Sequence, residues 1–409
     1  MAAGGDGVAR LPDGLALFVP LAAPGDRVRI RVTERHRRFA RAEISEVLVA
    51  GPGRCAPRCP VFGRCGGCAW QHLEYSVQVQ AKQAILREAL VRIGGWVLTD
   101  EIPLTPSPAP YGYRTRARLL VGREGIGYRH QGSHALCAID GCPILVPSLD
   151  AEVGRLAGAR RVSPEPAEQG EWELVAGRDG RARSHPVRSH PVRSHPVRSH
   201  PVKKHSVKGG GPTELGADRD RIELRAGQDV LAVSPGTFIQ ANLGLHDALH
   251  AAVLDSVGRG RHAIELHAGA GFFTLALARR FEEVEAIEVA SSAVADLRAN
   301  LLSAGLEGVR VIEGDVEEVL KSRVGPRPEL VLLDPPRAGL SPGALESLVE
   351  LSAARIVYLS CDPATLARDS ARLRERGYAL ESVQGFDLFP QTPHVEALAV
   401  LTRGDAPGG

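Results

Sequence analysis

The sequence predicts an α/β protein in which a Rossmann-like, seven-stranded, doubly wound sheet follows a small N-terminal β-barrel and a β-rich domain with a cysteine cluster. Three observations predict this order. Residues 1–50 carry short β-like alternations, residues 55–68 are rich in cysteine, and from about residue 229 apolar β-branched runs alternate with helix-like runs. The last pattern is typical of a parallel sheet that helices cover on both faces.

The composition indicates a globular, cytosolic chain. Its 409 residues are 44% hydrophobic, which suffices for two or three domains, and its formal net charge of +2 identifies no partner. No run approaches the roughly 20 apolar residues of a membrane span, and the first residues lack the apolar core of a signal peptide. In the cytosol, clustered cysteines more often bind metal or react than form disulfides.

We expect residues 1–50 to form the small barrel, from strands such as "ALFVP" and "RVRIRV". Over residues 27–43 of this part, basic residues outnumber the acids Glu34 and Glu43. Such a patch suits a polyanion, although a solvated pair of strands has the same charge pattern. The arginines concerned are Arg27, Arg29, Arg31, Arg35, Arg37, Arg38 and Arg41.

Residues 51–228 are expected to form the central domain. Apolar residues recur at helical spacing over 77–93, and Gly94 and Gly95 end that helix, which we expect to pack on the C-terminal domain. Between residues 110 and 147 the runs "YRTRARLLVG", "GIGYRH" and "CPILVP" predict strands.

Four tandem copies of Arg-Ser-His-Pro-Val fill residues 183–202. Proline at every fifth position excludes a regular helix and no apolar face forms, so we predict a disordered, basic insertion over about 180–212. Its histidines could bind metal and its cations could hold RNA. Expansion of a repeat in a tolerant surface loop is the simpler explanation.

The C-terminal domain, 229–409, supplies the strands of the doubly wound sheet. The runs "HAIEL", "VEAIEV", "VRVIEGD", "ELVLLD" and "RIVYLS" are each followed by a helix-like run and predict parallel strands. The last two runs, "YALESVQGF" and "VEALAVL", have no helix between them. We therefore expect those two strands to pair antiparallel at an edge.

A glycine loop follows the first parallel strand, in "ELHAGAGFFTLALA". Gly269 and Gly271 lie in the turn into a helix, where a ligand can approach the backbone. Glu265 precedes the loop, Glu288 ends the second strand and Asp315 ends the third, so all three acids converge on one crevice. A threonine stands where a dinucleotide fingerprint has its third glycine. This difference favours S-adenosylmethionine over a dinucleotide.

The run "VLLDPPRAG" ends the fourth strand and bears on the methyl acceptor. Methylation of an exocyclic amine commonly uses an aromatic residue after Pro-Pro, but Arg337 stands there. Methylation of cytosine carbon 5 in RNA uses two loop cysteines, and this domain contains Cys361 alone. Methylation of uracil carbon 5 needs one thiolate to add to carbon 6 and one base to remove the carbon 5 proton.

Five motifs resemble the RNA uracil-5-methyltransferase family, which modifies transfer or ribosomal RNA. They are "FIQAN", "ELHAGAGFFT", "LLDPPRAGL", "YLSCDPATLARD" and "FPQTPHVEALAVL", and they cover most of residues 229–401 in the family's order. The resemblance implies a class I methyltransferase fold, with Cys361 as nucleophile and Glu396 as base. It also implies that these residues contact S-adenosylmethionine: Gln240, His267, Gly269, Gly271, Glu288, Asp315 and Asp334. His394, two residues before the base, is expected to be structural.

Four cysteines, Cys59, Cys65, Cys68 and Cys142, match the number that zinc or a [4Fe-4S] cluster requires, and their spacing does not choose between the two. The segment "CPVFGRCGGCAWQH" with the later "GCPILVP" is similar to the cluster-binding segment of many members of the family. This similarity implies a [4Fe-4S] cluster with a structural role. Cys55 and Cys137 fall outside the pattern and are expected to be buried thiols, although either could substitute.

The N-terminal basic stretch resembles the RNA-binding β-barrel called TRAM. Together the resemblances imply a cytoplasmic, monomeric enzyme that methylates carbon 5 of a uridine in RNA, with 23S rRNA expected as the substrate. The alternatives are a transfer RNA uridine, cytosine or amine methylation, or an iron–sulfur RNA-binding protein with a vestigial methyltransferase fold.

Overall fold

A computed structural model describes residues 1–162, 169–187 and 221–404 of the chain. The N-terminal part is a four-stranded sheet in the order β1-β2-β4-β3. Leu17, Val19, Ala40 and Ala42 form its small core. Its strands are β1 (Gly7–Arg10), β2 (Ala16–Val19), β3 (Arg27–Arg35) and β4 (Phe39–Val49).

The outward face of this sheet carries the predicted basic patch, and part of its charge is paired across the strands. Arg29 lies against Glu46, and Arg31 donates to Glu43 at 2.8 Å. Arg37 and Arg38 lie exposed in the turn between β3 and β4. The turn is therefore the more cationic end of the patch.

The central part combines a long helix with a five-stranded antiparallel sheet in the order β10-β9-β6-β7-β8. Helix α1 (Tyr75–Arg92) occupies the predicted position and is followed by Gly94 and Gly95. The other elements are β5 (Leu104–Thr105), β6 (Arg116–Gly122), β7 (Gly125–Arg129), β8 (Leu136–Ala138), α2 (Pro147–Val162), β9 (Gly170–Ala176) and β10 (Ala182–Pro186).

The prediction of a strand in "CPILVP" is wrong. These residues form a turn that leads into α2, whose first residue is Pro147. Proline has no N–H for a ladder but fits the first turn of a helix. The Asp150 carboxylate accepts the Cys142 N–H at 2.6 Å and fixes the turn.

The predicted disorder from about residue 180 is also wrong at its start. The first copy of the repeat contributes β10, which pairs antiparallel with β9 at the edge of the sheet. An edge strand tolerates proline, here Pro186 at its last position. The other copies lie outside the described residues.

The C-terminal part begins with the hairpin of β11 (Ile222–Ala226) and β12 (Asp229–Val233), and continues as the predicted doubly wound sheet. The sheet order is β15-β14-β13-β16-β17-β19-β18-β5. Its further elements are α3 (His246–Val257), β13 (Gly260–Leu266), α4 (Thr274–Leu277), β14 (Phe281–Glu288), α5 (Ser291–Ser303), β15 (Val309–Glu313), α6 (Val316–Ser322), β16 (Leu330–Leu333), α7 (Pro342–Glu350), β17 (Arg355–Ser360), α8 (Pro363–Glu375), β18 (Tyr378–Phe386) and β19 (Glu396–Arg403).

All five parallel strands expected from the sequence are present, and β18 and β19 pair antiparallel as predicted. Strand β19 lies between β17 and β18. The short strand β5 of the central part pairs parallel with β18 and adds an eighth strand to the seven that were predicted. The edge of the sheet is therefore covered by a residue pair from another part of the chain.

Helix α1 packs on the C-terminal sheet together with α8. Leu86 and Leu90 of α1 share one buried core with Leu366 and Leu373 of α8 and with β16 and β17. Burying a leucine side chain contributes about 1.5–3 kcal/mol, so this face stabilises the attachment of the central part. None of the helices within the described residues is long and apolar enough to cross a membrane.

Candidate active site and cysteine cavity

Cys361 lies directly after β17, at the carboxyl end of the sheet. Strand β19 runs antiparallel beside β17 with Ser360 opposite Ala397, so the next pair outward is Cys361 and Glu396. Asp362 then begins α8 by accepting the N–H groups of Ala364 and Thr365 at 2.9 and 3.0 Å. The sharp strand-to-helix turn leaves the half-buried thiol at the edge of the sheet.

The surroundings of Cys361 disfavour its thiolate in the resting protein. Burial, with a smaller contribution from the Glu396 carboxyl, raises the pKa of the thiol to about 11. Arg337 opposes both effects. Chemistry at this sulfur therefore depends on positive charge close to it.

Glu396 is 1% exposed, and its Oε1 has no hydrogen-bond partner among the described residues. Burial raises the pKa of this carboxyl well above its ordinary value, and Asp334 raises it further while Arg337 lowers it. A buried carboxyl with an unused oxygen beside a thiol is a suitable proton acceptor for a substrate held between them.

Asp334 and Arg337 lie on the loop after β16. Burial raises the pKa of Asp334 to about 6, whereas Arg337 is exposed. The buried Asp369 carboxylate of α8 holds the loop, because Oδ2 accepts the Leu340 N–H at 3.0 Å and the Tyr358 hydroxyl at 2.8 Å. The loop thus directs one acid and one cation at the space beside Cys361.

The glycine loop between β13 and α4 is held by Glu288. Its Oε2 accepts the Gly269 N–H at 3.0 Å, and its Oε1 accepts the Ala290 N–H at 2.8 Å. A Cβ at Gly269 would meet open space, whereas one at Gly271 would lie 2.7 Å from the Leu297 side chain. Gly269 therefore faces the crevice, and Gly271 is required by packing against α5.

The other predicted contacts lie around this loop. His267 has a left-handed φ of 61°, and burial lowers its pKa. Asp315 caps α6 by accepting the N–H groups of Glu317 and Glu318 through Oδ1 alone. Gln240 is half-buried, and its carbonyl accepts from His246 Nε2 at 3.0 Å.

Glu265 adds a further acid to the crevice. Its Oε2 is buried without a hydrogen-bond partner in the described part of the chain. Burial, with smaller contributions from Asp334 and Glu288, raises the pKa of Glu265 to about 8, and the Thr274 hydroxyl opposes this shift. A ligand with positive charge would relieve this cluster of acids, and S-adenosylmethionine carries both a sulfonium and an ammonium group.

Cys59, Cys65, Cys68 and Cys142 line one cavity in the central part, together with Gln71, Tyr128 and apolar side chains. Burial raises the pKa of Cys65 to about 11 and that of Cys68 to about 12. In the described ranges, no three His, Cys, Asp or Glu side chains are arranged to hold a single metal ion.

Neither Cys55 nor Cys137 is among the described residues that line this cavity. The Cys55 thiol donates to the Gln71 carbonyl at 3.5 Å, and Cys137 is buried in β8.

In the sequence, Arg337 is notable only because it stands where an aromatic residue is common. The structure places its charge where it affects both Cys361 and Glu396. A cation directly after a strand-end Pro-Pro was the available signal. For His394, burial lowers the pKa to about 4, with Arg337 and Lys82 lowering it further, so this ring is neutral.

Comparison with known proteins gives a consistent result. A profile described as tRNA (Uracil-5-)-methyltransferase matches residues 223–404, and a TRAM domain profile matches residues 3–45. The chain is 36% identical to the 23S rRNA (uracil(1939)-C(5))-methyltransferase RlmD of Alkalilimnicola ehrlichii, over 96% of this chain and 92% of that protein. It is 33% identical to an uncharacterised RNA methyltransferase of Gloeobacter violaceus, over 98% and 95% of the two chains.

Among solved structures, the Pyrococcus abyssi tRNA (uracil-54, C5)-methyltransferase in complex with S-adenosyl-L-homocysteine superposes with a TM-score of 0.70. The two chains are 24% identical, and the match covers 97% of this chain and 100% of that one. This likeness confirms the predicted class I methyltransferase fold.

Proposed function

Because the chain belongs to the RNA uracil-C5 methyltransferase family, we propose that it methylates a uridine of 23S rRNA through a covalent adduct on Cys361. The observation that carries the mechanism is the placement of Cys361 opposite Glu396 across β17 and β19. The chemistry of uracil carbon 5 demands one nucleophile and one base, and these two residues are neighbours at the carboxyl end of the sheet.

The first step makes carbon 5 nucleophilic. The Cys361 sulfur bonds to carbon 6 of the flipped uracil, and the electrons of the C5=C6 bond move to the ring carbonyl as an enolate. Bound S-adenosylmethionine supplies the methyl group, which carbon 5 takes from the sulfonium. Arg337 lies near enough to lower the pKa of Cys361 and so favours the thiolate that begins the sequence.

The second step releases the product. The Glu396 carboxylate takes the proton from carbon 5, the C5=C6 bond re-forms, and the C6–S bond breaks to return the thiolate. The raised pKa of Glu396 makes its carboxylate a stronger base than an exposed glutamate. Arg337 lowers that pKa and so favours the ionised form.

We further propose that S-adenosylmethionine lies over the glycine loop. The backbone of Gly269 offers the open approach, and Glu288 orders that loop. Glu265 and Asp334 lie in the same crevice, and the positive charge of bound S-adenosylmethionine would favour their ionised forms. The residues assigned to this site are Gln240, His267, Gly269, Gly271, Glu288, Asp315 and Asp334.

The four cysteines of the cavity are proposed to hold a [4Fe-4S] cluster. Each thiolate of such a cluster binds a different iron, so the four sulfurs can surround a shared space without meeting at one ion. This fits thiols that line one cavity although no three described side chains suit a single ion. Methyl transfer moves no net electrons, so the cluster orders this part of the chain.

The proposed domains are an N-terminal part over residues 1–50, a central part over 51–228 and a methyltransferase domain over 229–409. The N-terminal and central parts are proposed to form the surface that binds RNA. The TRAM profile covers residues 3–45, and the exposed Arg37 and Arg38 supply charge for phosphate groups.

Trapping with 5-fluorouridine RNA tests the covalent mechanism. A base cannot remove fluorine from carbon 5 as it removes a proton, so the bond between sulfur and carbon 6 is not broken. We expect the wild-type protein with S-adenosylmethionine to form an adduct that survives denaturing electrophoresis. Cys361→Ala should form none while still binding S-adenosylmethionine, and Cys55→Ala, a cysteine outside the site, should behave as wild type. Undiminished turnover by Cys361→Ala would overturn the mechanism.

Mapping 5-methyluridine in cells with and without the protein tests the substrate. Cells without the protein should lack one methyl group of 23S rRNA. If the methyl group is instead missing only from transfer RNA, the substrate is a transfer RNA.

A further inference from the structure

The segment that leads into Glu396 is buried although it joins two strands. Leu388, Gln391 and Val395 are all inaccessible, whereas connections usually run over the surface. Lys82 of α1 forms an ion pair with Asp387 and donates to the Phe389 carbonyl at 2.9 Å. The start of the segment is therefore fixed from another part of the chain.

Gln391 is the most heavily bonded residue of this segment. Its φ is 69°, a left-handed conformation that a non-glycine residue keeps only where the surroundings impose it. Its N–H donates to Gln78 Oε1 at 2.8 Å, and its Oε1 accepts from Gln78 Nε2 at 3.0 Å. Its Nε2 donates to the Pro110 carbonyl at 3.2 Å.

The carbonyl of Gln391 joins the segment to the cysteine loop. It accepts the N–H groups of Ala69 and Trp70, both at 3.0 Å, and Ala69 directly follows Cys68 of the cavity. Trp70 also donates through Nε1 to the Gly5 carbonyl of the N-terminal part at 2.9 Å. The position of Gln391 thus depends on the cysteine loop and on α1 at once.

Hydrogen bonds and burial hold the backbone between Gln391 and Glu396 in place. The Thr392 hydroxyl donates to the Phe389 carbonyl at 2.7 Å and accepts the His394 N–H at 3.3 Å. Val395 is fully buried, and Glu396 is the first residue of β19. Cys361, by contrast, is positioned by β17 and α8, which do not bond to Gln391 in the described part of the chain.

We infer that Gln391 is a positioning residue that aligns Glu396 with carbon 5 of the substrate, and that the cysteine loop and α1 act on the base through it. The inference rests on the proposed covalent mechanism. A displaced Gln391 impairs removal of the carbon 5 proton and leaves addition by Cys361 and methyl transfer intact. Methylated RNA then stays attached to the protein.

Gln391→Met tests this, because methionine has a similar volume but removes the side-chain bonds to Gln78 Nε2 and to the Pro110 carbonyl. The backbone bonds of residue 391 to Gln78 Oε1, Ala69 and Trp70 remain. We expect kcat to fall about 10- to 100-fold, as for a misaligned catalytic group. KM for RNA should stay within about twofold, since binding is not the affected step. During turnover of ordinary RNA, an adduct stable to denaturing electrophoresis should accumulate. Gln83→Met, five residues after Gln78 on α1 and at a side chain that donates to the Ile102 carbonyl, is the matched control.

A second test, in the Glu396→Gln variant, distinguishes a positioning role of Gln391 from a general loss of structure. In Glu396→Gln the base is already absent, so adding Gln391→Met should leave the rate of adduct formation unchanged within about twofold. A slower formation in this background, or a loss of kcat without adduct accumulation, would overturn the inference. If wild type itself forms no adduct with 5-fluorouridine RNA, the proposed mechanism fails instead. Gln391→Asn, which keeps an amide, provides a milder variant should the first fold poorly.

Discussion

Arg337 acts on both residues of the proposed catalytic pair, because its charge lowers the pKa of Cys361 and of Glu396. We expect Arg337→Gln to raise the thiol pKa above about 11 and so reduce the thiolate fraction at neutral pH. Each unit of pKa lowers that fraction about tenfold, so kcat/KM at pH 7.5 should fall about tenfold or more and recover partly as pH rises.

Rates of methyl transfer between pH 6.5 and 9.5 measure this effect. Arg376→Gln, an exposed arginine at the end of α8, should leave the profile unchanged. An Arg337→Gln profile parallel to that of wild type would show that the charge of Arg337 does not act on the thiol.

At the residue scale, the sequence identified Cys361 and Glu396 as a pair, and their assigned roles stay predictions for the trapping experiment. The sequence could not predict which groups hold these two side chains in position. Asp369 fixes the Arg337 loop and Gln391 holds the segment before Glu396, and each does so through partners distant along the chain. Local patterns contain no signal for such bonds.

At the scale of elements, Glu173 of β9 shows how one buried carboxylate organises several segments. It accepts from Arg116 at 2.6 Å, from Arg118 at 3.3 Å and from the Gly236 N–H at 3.1 Å, and it pairs with His185 of β10. Burial opposes ionisation, but these partners outweigh it and lower the pKa of Glu173 to about 2.

We therefore expect Glu173→Gln to destabilise the protein by roughly 3–5 kcal/mol, because it leaves Arg116 buried without a counter-charge. Urea unfolding followed by circular dichroism measures the change. Glu171→Gln, on the same strand but in an exposed pair with Arg129, should cost less than about 1 kcal/mol. Equal effects of the two substitutions would contradict the role given to the buried pair.

The cysteine cavity gives a second prediction at this scale. Protein purified without oxygen should be brown, with about four irons per chain, because four thiolates are the usual ligands of a [4Fe-4S] cluster. Cys65→Ser should lose most of the iron, whereas Cys137→Ser, outside the cavity, should retain it. A colourless protein that holds one zinc would overturn the assignment.

Elements with strong periodicity were predictable, and those decided by proline or by edges were not. Helix α1 and the five parallel strands follow from apolar spacing. The run "CPILVP" has the composition of a strand, yet its second proline begins α2. The first repeat copy has the composition of a disordered segment, yet a free edge of β9 accepts it as β10.

At the scale of the whole molecule, the three parts meet at contacts that join distant residues. Trp70 bonds to Gly5 and to Gln391, and β5 extends the C-terminal sheet. Apolar patterns predicted each part separately, but the register and side-chain bonds between parts depend on the folded chain. The junction therefore became visible only in the structure.

Histidines near these junctions contribute stability that is lost as the pH falls below 6.5, because burial lowers their pKa. Burial lowers the pKa of His72 to about 4, with Arg54 lowering it further, and burial likewise lowers that of His394 to about 4. The unfolded chain binds a proton at each histidine near pH 6.5, whereas the folded protein does so only near pH 4. The contribution of His72 to stability therefore falls by about 3 kcal/mol as the pH falls through this window, whereas acids with a raised pKa, such as Glu265, act in the opposite direction.

Urea unfolding at pH 7.5, 6.0 and 5.0 measures this contribution, because the stability of wild type should fall relative to that of His72→Gln as the pH falls. The carboxylates with lowered pKa, Asp26 and Glu173, lose their contribution only below about pH 4.5, so they do not affect the comparison. Identical slopes for wild type and His72→Gln would show that this histidine is protonated in the folded protein as readily as in the unfolded chain.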